Sequence, residues 1–175
     1  MTTVIFSHGQ ESGPWGTKIR SMAELVRGMG CKADSIDYQG IAAPTERVDK
    51  CVRECAEISD KLILVGSSMG GHVATAAAAE VGAAGLFVLA PAYFMEGHED
   101  LTPEPPPMPI CIVHGWHDDV VPVENSIRYA RSCSATLHIV DGDHRLTANI
   151  NEIKRHLEYF LNEVSGQSPE PGGER

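Results

Sequence analysis

Short apolar runs and amphipathic stretches alternate along the whole chain. Thr3-Val4-Ile5-Phe6 predicts a first strand, which ends at Ser7-His8-Gly9. A loop with Gly13, Pro14 and Gly16 follows, and then Ile19, Met22, Val26 and Met29 recur at helical spacing. Ala33 to Tyr38 predicts a weaker strand at an edge. Pro44-Thr45-Glu46 opens a second helix, where proline costs no hydrogen bond, with Val48, Cys51, Val52 and Cys55 on its inner face. Leu62-Ile63-Leu64-Val65 is a strand, and the alanine-rich Gly71 to Glu80 is a helix. Gly85 to Ala90 and Ile110 to Val113 are apolar on both faces, as central strands of a parallel sheet must be. Val123 to Ser132 predicts a helix and Thr136 to Val140 a strand. Leu146, Ile150, Ile153, Leu157, Phe160 and Val164 trace the stripe of a closing helix.

Repeated strand–helix units with right-handed crossovers predict an α/β fold: a three-layer α/β/α sandwich with a six-stranded parallel sheet. One connection differs. Pro103, Pro105, Pro106, Pro107 and Pro109 forbid a helix over the second half of the link from Ala90 to Ile110. It reads as a short surface crossover stiffened by polyproline conformation. Residues 1–164 form one domain; 165–175 are glycine, proline, serine and charge, and read as a flexible C-terminal tail.

Composition narrows the function classes. At 175 residues with 42% hydrophobic content, the chain suits one soluble domain. A formal charge of −10 argues against a nucleic-acid partner, because phosphate binding needs a basic surface. No apolar stretch approaches the roughly 20 residues that span a bilayer, and Met1-Thr2-Thr3 runs directly into a strand without a signal peptide. A cytoplasmic location is expected. The five cysteines form no disulfide framework, and Cys51 and Cys55 lack the further ligands a tetrahedral metal site needs. They read as small buried hydrophobes, and neither metal nor cofactor is expected.

Chemistry gathers where the predicted strands end, which is where ligands bind in parallel sheets. Gly66-Ser67-Ser68-Met69-Gly70 lies between a strand and a helix, the setting of a G-x-S-x-G nucleophile elbow. The flanking glycines leave room for so tight a bend. Ser67 competes with Ser68, but only Ser68 has glycine at both −2 and +2. His114-Gly115-Trp116-His117-Asp118-Asp119-Val120-Val121-Pro122 follows the fifth strand, and Asp141-Gly142-Asp143-His144 the sixth. A serine hydroxyl needs an adjacent imidazole to take its proton, and that imidazole needs a carboxylate to fix its tautomer. Among the eight histidines, His144 stands out by its place between the last strand and the last helix. Asp118 and Asp119 compete for the carboxylate, and the spacing to Val121-Pro122 favours Asp118. His8 and His114 precede glycines at strand ends and read as residues that shape their loops. Trp15, Tyr93, Phe94, Trp116 and Met69 fall on the same rim and are candidates to line a substrate cleft.

The chain resembles the alpha/beta-hydrolase superfamily, specifically its small lid-less bacterial serine esterases. The resemblance spans Thr3 to Val164. It rests on His8-Gly9, the Gly66–Gly70 elbow, the HGxxDxxVP pattern at His114–Pro122, and Gly142-Asp143-His144. It implies Ser68 as nucleophile, Asp118 as acid, His144 as base, and the Met69 and Gln10 backbone N–H groups as oxyanion hole. It also implies a minimal core that lacks both the edge hairpin of larger members and the cap domain that follows their sixth strand. The expected partner is a small ester or thioester, cleaved through an acyl-serine without a cofactor. Two alternatives stay open: an amidase or lactone hydrolase on the same scaffold, and an inert binding protein that kept the fold.

Overall fold

A computed structural model describes residues 1–166. Six strands form one parallel sheet: β1 (Thr2–Ser7), β2 (Lys32–Ile36), β3 (Lys61–Ser67), β4 (Gly85–Leu89), β5 (Ile110–Gly115) and β6 (Thr136–Val140). Their order across the sheet is β2-β1-β3-β4-β5-β6. Five helices connect them: α1 (Thr17–Gly28), α2 (Pro44–Cys55), α3 (Met69–Ala78), α4 (Val123–Cys133) and α5 (Ile150–Ser165). From β1 the chain steps outward to β2, and after β3 it steps the opposite way to β4. The crevice between the ends of β1 and β3 is therefore the topological switch point, where such sheets bind ligands.

The alternation of side chains along each strand divides the apolar residues into two cores. Val4, Phe6, Ile63, Val65, Phe87 and Leu89 face α1 and α5, meeting Met22, Val26, Leu157 and Phe160. Ile5, Leu62, Leu64, Leu86, Val88 and Ile112 face the other side, meeting Cys51, Cys55, Val73, Ala77 and Tyr129. The small alanines of α3 suit this role, since they let that helix lie close to the sheet. Cys51, Cys55 and Cys111 are buried, as small hydrophobes should be.

The structure corrects several sequence expectations. β2 stops at Ile36, short of Tyr38, although Tyr38 is fully buried. Its backbone N–H leaves the ladder to donate to His8 Nε2 at 2.8 Å. α3 begins at Met69 rather than Gly71. Leu146 is in the core but not on the closing helix: it sits in a left-handed turn (φ 54°) whose N–H bonds Asp143 Oδ1 at 3.0 Å. A short 3-10 turn, Thr147–Asn149, then leads into α5. Between β4 and β5, among the described residues, the only helical turn is Glu99–Leu101, so no cap domain lies there. At the C-terminus, Ser165 still belongs to α5 and Gly166 caps it with φ 72°; the rest of the expected tail, 167–175, lies outside the described residues.

Candidate active site

The elbow between β3 and α3 is built from steric necessity. An added Cβ on Gly66 would overlap the Gly70 carbonyl, and one on Gly70 would overlap the Ser7 carbonyl of β1. Ser68 itself holds φ 54°, ψ −119°, a conformation sparsely populated by side-chain-bearing residues and costing about 1–3 kcal/mol. Its N–H bonds Leu89 O at 2.9 Å, tying the corner to β4. The strained turn lifts Oγ out of the sheet at the N-terminus of α3.

The other two side chains arrive on loops that are fastened together. Beyond the paired ends of β5 and β6, Trp116 N donates to Val140 O at 2.9 Å and His117 N to Gly142 O at 3.0 Å. Gly115 packs so tightly against Gly142 that a Cβ would overlap its carbonyl. Asp118 and His144 are thereby fixed relative to one another. His144 Nδ1–H donates to Asp118 Oδ2 at 2.7 Å, and the Ser68 hydroxyl donates to His144 Nε2 at 3.0 Å. Three residues remote in sequence form one hydrogen-bonded chain.

The geometry also separates the competitors. Asp118 has a side chain that is 0% exposed, and its Oδ1 accepts the Val120 and Val121 N–H groups, each at 2.8 Å. Asp119 is exposed. Ser67 has a different partner, its Oγ accepting a hydrogen bond from Lys18 Nζ at 3.3 Å. His114 shapes its loop as expected: fully buried, it accepts from Ser126 Oγ through Nδ1 at 2.7 Å and donates from Nε2 to Val121 O at 2.9 Å. Asp118 Oδ2 lies 3.0 Å from the same Nε2. Burial, ahead of these partners, holds the His114 pKa below its ordinary value, which keeps the ring neutral.

Opposite Ser68 runs the loop after β1, so close that a Cβ added to Gly9 would lie 3.7 Å from the Ser68 Cβ. The Gly9 carbonyl is held by three donors: His8 Nδ1 at 2.7 Å, Arg47 Nη1 at 3.2 Å and Ser12 Oγ at 3.4 Å. Because C=O and N–H are antiparallel in a trans peptide, clamping this oxygen also aims the Gln10 N–H. Among the described residues neither the Gln10 nor the Met69 N–H bonds another protein group. Sequence reasoning passed over Arg47, which is only 2% exposed and also donates through Nε to Ile41 O at 2.7 Å. It lies over the Tyr38 ring, 5.4 Å from the centroid. Its signal was its register, one and two turns before Cys51 and Cys55 on the buried face of α2. Lys18 was passed over in the same way, although it precedes Met22 by one turn.

The expected cleft-lining residues divide. Trp116 is 56% exposed beside the Asp118 loop, with Val120 exposed nearby. Tyr93 is not on the rim: it is fully buried, stacked on Tyr129 at 4.0 Å, with its hydroxyl on Thr75 Oγ1. The reason is the turn that follows Pro91, which carries residue 93 back onto α3 and α4. Phe94 is half-buried against Tyr129 under the Arg128 guanidinium, and Trp15 packs on the α1 side under Arg27. Two cavities, of about 470 and 510 Å³, lie at the opposite end of the sheet around Asp60, and neither includes a residue of the serine–histidine–aspartate chain.

A family model for the alpha/beta hydrolase domain matches residues 39–166, most of the chain. The protein belongs to the alpha/beta hydrolase family. This hydrolase is similar over 92% of its length to a protein of that superfamily from Xanthomonas campestris pv. campestris, at 27% identity and a TM-score of 0.85, covering 98% of the other chain. Est1E of Butyrivibrio proteoclasticus, solved with ferulic acid bound, superposes with a TM-score of 0.80 at 16% identity, over 95% of this chain and 90% of that one. A serine hydrolase without a lid from Xanthomonas campestris matches at a TM-score of 0.73 and 20% identity, over 93% and 81%. At those identities the last two speak for the fold alone. No curated protein is significantly similar in sequence.

Proposed function

We propose that this alpha/beta hydrolase is a serine hydrolase that cleaves carboxylic esters or thioesters through an acyl-Ser68 intermediate. The observation that carries the reading is the unbroken path from Ser68 Oγ through His144 to buried Asp118. In that arrangement Nε2 is unprotonated and receives the serine proton as Oγ attacks the acyl carbon. Asp118 holds the required tautomer and stabilises the imidazolium. The developing oxyanion is received by the Met69 and Gln10 N–H groups. His144 then returns its proton to the departing alcohol or thiol, and a water deprotonated by the same nitrogen releases the acid. Exposed Trp116 and half-buried Phe94 and Trp15 are the remaining candidates to contact substrate.

Incubation with a fluorophosphonate probe tests this directly. Stoichiometric phosphonylation located on the Ser68 peptide by mass spectrometry is the expected result; an unlabelled protein would instead favour the inert binding reading.

Arg47 acts in this scheme as a positioning residue, through the Gly9–Gln10 peptide. Arg47→Met should lower kcat for a p-nitrophenyl ester by about tenfold to a hundredfold, less than the roughly 10²–10³-fold seen when an oxyanion donor is removed outright, because the Gln10 N–H is misaimed rather than lost, with KM changed far less. Arg47→Lys should recover part of the loss. Equal changes in kcat and KM, or none, would show that the guanidinium serves stability alone.

A further inference from the structure

Among the described residues, Lys18 is the one charged side chain in hydrogen-bond contact with the elbow. It stands in the first turn of α1, half-buried, with Nζ 3.3 Å from the Oγ of Ser67, the neighbour of the proposed nucleophile. An ammonium has three donors, and this one has a single neutral protein partner. Among the described residues it makes no ion pair within 4.0 Å, although Lys32 and Lys50 both do. The surrounding charges are Asp143 and Asp118, which act on it from a distance, and Arg145, which follows His144. Arg145 likewise has no ion-pair partner among the described residues. Among the described residues, two cations without an ion-pair partner, Lys18 beside the elbow and Arg145 next to His144 in sequence, thus stand in a protein with a formal charge of −10.

Withdrawing an ammonium from water without an anion is costly. A surface lysine would avoid that cost by extending into solvent, and Lys32 does so, with a side chain 62% exposed. Lys18 instead lies back against the elbow. Ser67 immediately precedes Ser68, and the charges of Asp143 and Asp118 act on the same ammonium, so Lys18 stands beside the elbow and within electrostatic reach of the loops that carry Asp118 and His144.

We propose that Lys18 is a specificity-determining residue, and that the preferred substrate is an ester or thioester carrying a carboxylate a few bonds from the scissile carbonyl, paired with the Lys18 ammonium. This rests on the reading of Ser68 as nucleophile. Burial, opposed by Asp143 and Asp118, brings the Lys18 pKa down to about 8, which gives the anchor a titration of its own.

The test compares charged and uncharged esters of matched shape. p-Nitrophenyl hemiglutarate is set against p-nitrophenyl valerate for an anion on the acyl side. 4-Carboxyphenyl butyrate is set against 4-carbamoylphenyl butyrate for an anion on the alcohol side. The readout is the ratio of kcat/KM for each charged ester to that of its neutral partner. In one of the pairs this ratio should fall by about tenfold or more in Lys18→Met and be retained in Lys18→Arg. In the wild type the same ratio should decline as pH rises through about 8, where the ammonium is lost; pH effects common to both esters cancel in the ratio. Ratios that stay within about twofold in both pairs, for the variant and across pH, overturn the anchor while neutral-ester turnover leaves the hydrolase reading intact. A wild type that turns over none of the four esters overturns both.

Discussion

Replacing Ser68 with alanine is expected to lower kcat/KM for a short p-nitrophenyl ester by about four to six orders of magnitude, while leaving the fold unchanged. The separation of the two effects follows from the geometry. The Ser68 hydroxyl has one protein partner, His144 Nε2, and caps no backbone group of α3. Alanine keeps the Cβ, and with it the same backbone strain at φ 54°, so thermal unfolding should shift by less than about 1 kcal/mol. Steady-state turnover and a melting curve on the same preparation decide the matter. Full activity in Ser68→Ala would remove the proposed nucleophile. Lost activity with a collapsed melting curve would show that the residue's role is architectural.

Asp118→Asn is expected to reduce kcat by about 10⁴-fold. The asparagine oxygen can still accept the Val120 and Val121 N–H groups, so the loop keeps its course. Its NH₂ group, however, would then face His144 Nδ1, and that ring could satisfy it only by moving its proton to Nε2. An Nε2–H cannot accept the serine proton. The same NH₂ would also meet His114 Nε2–H, donor against donor, at a position that is now 3.0 Å from a carboxylate oxygen. A stability loss of about 1–3 kcal/mol should accompany the kinetic one. Asp119→Asn, at an exposed carboxylate, is the control and should stay within about twofold of wild type. A damaging Asp119→Asn paired with a harmless Asp118→Asn would move the acid by one position.

Much of the architecture was legible because strand and helix differ so sharply in apolar period here. Five of the six strands coincide with their predicted segments, among them the apolar runs Leu62–Val65 and Ile110–Val113, while the weaker edge strand β2 is offset from the predicted Ala33–Tyr38, and the prolines between Pro103 and Pro109 rightly excluded a helix. The candidate site was legible for a different reason. Glycines that tolerate no Cβ, at positions 66, 70 and 115, accompany the functional residues in sequence. What escaped was anything decided across the chain. Tyr38 and Leu146 are core residues placed by loops rather than by periodic elements, because His8 and Asp143 draw off their backbone N–H groups. Tyr93 sits at a strand end, yet turns inward to stack on Tyr129. Arg47 and Lys18 carried no sequence signal beyond their place on amphipathic helices. Only the fold reveals that one clamps the carbonyls of residues 8–10 and the other approaches the elbow.

The twisted corner at residue 68 sets durability against chemistry. Glycine would occupy that backbone shape with no steric objection, so the variant best suited to mere persistence is one that carries no reactive oxygen at all. A laboratory selection that rewards heat resistance without also demanding turnover would reward erasing the very group that gives the molecule its use.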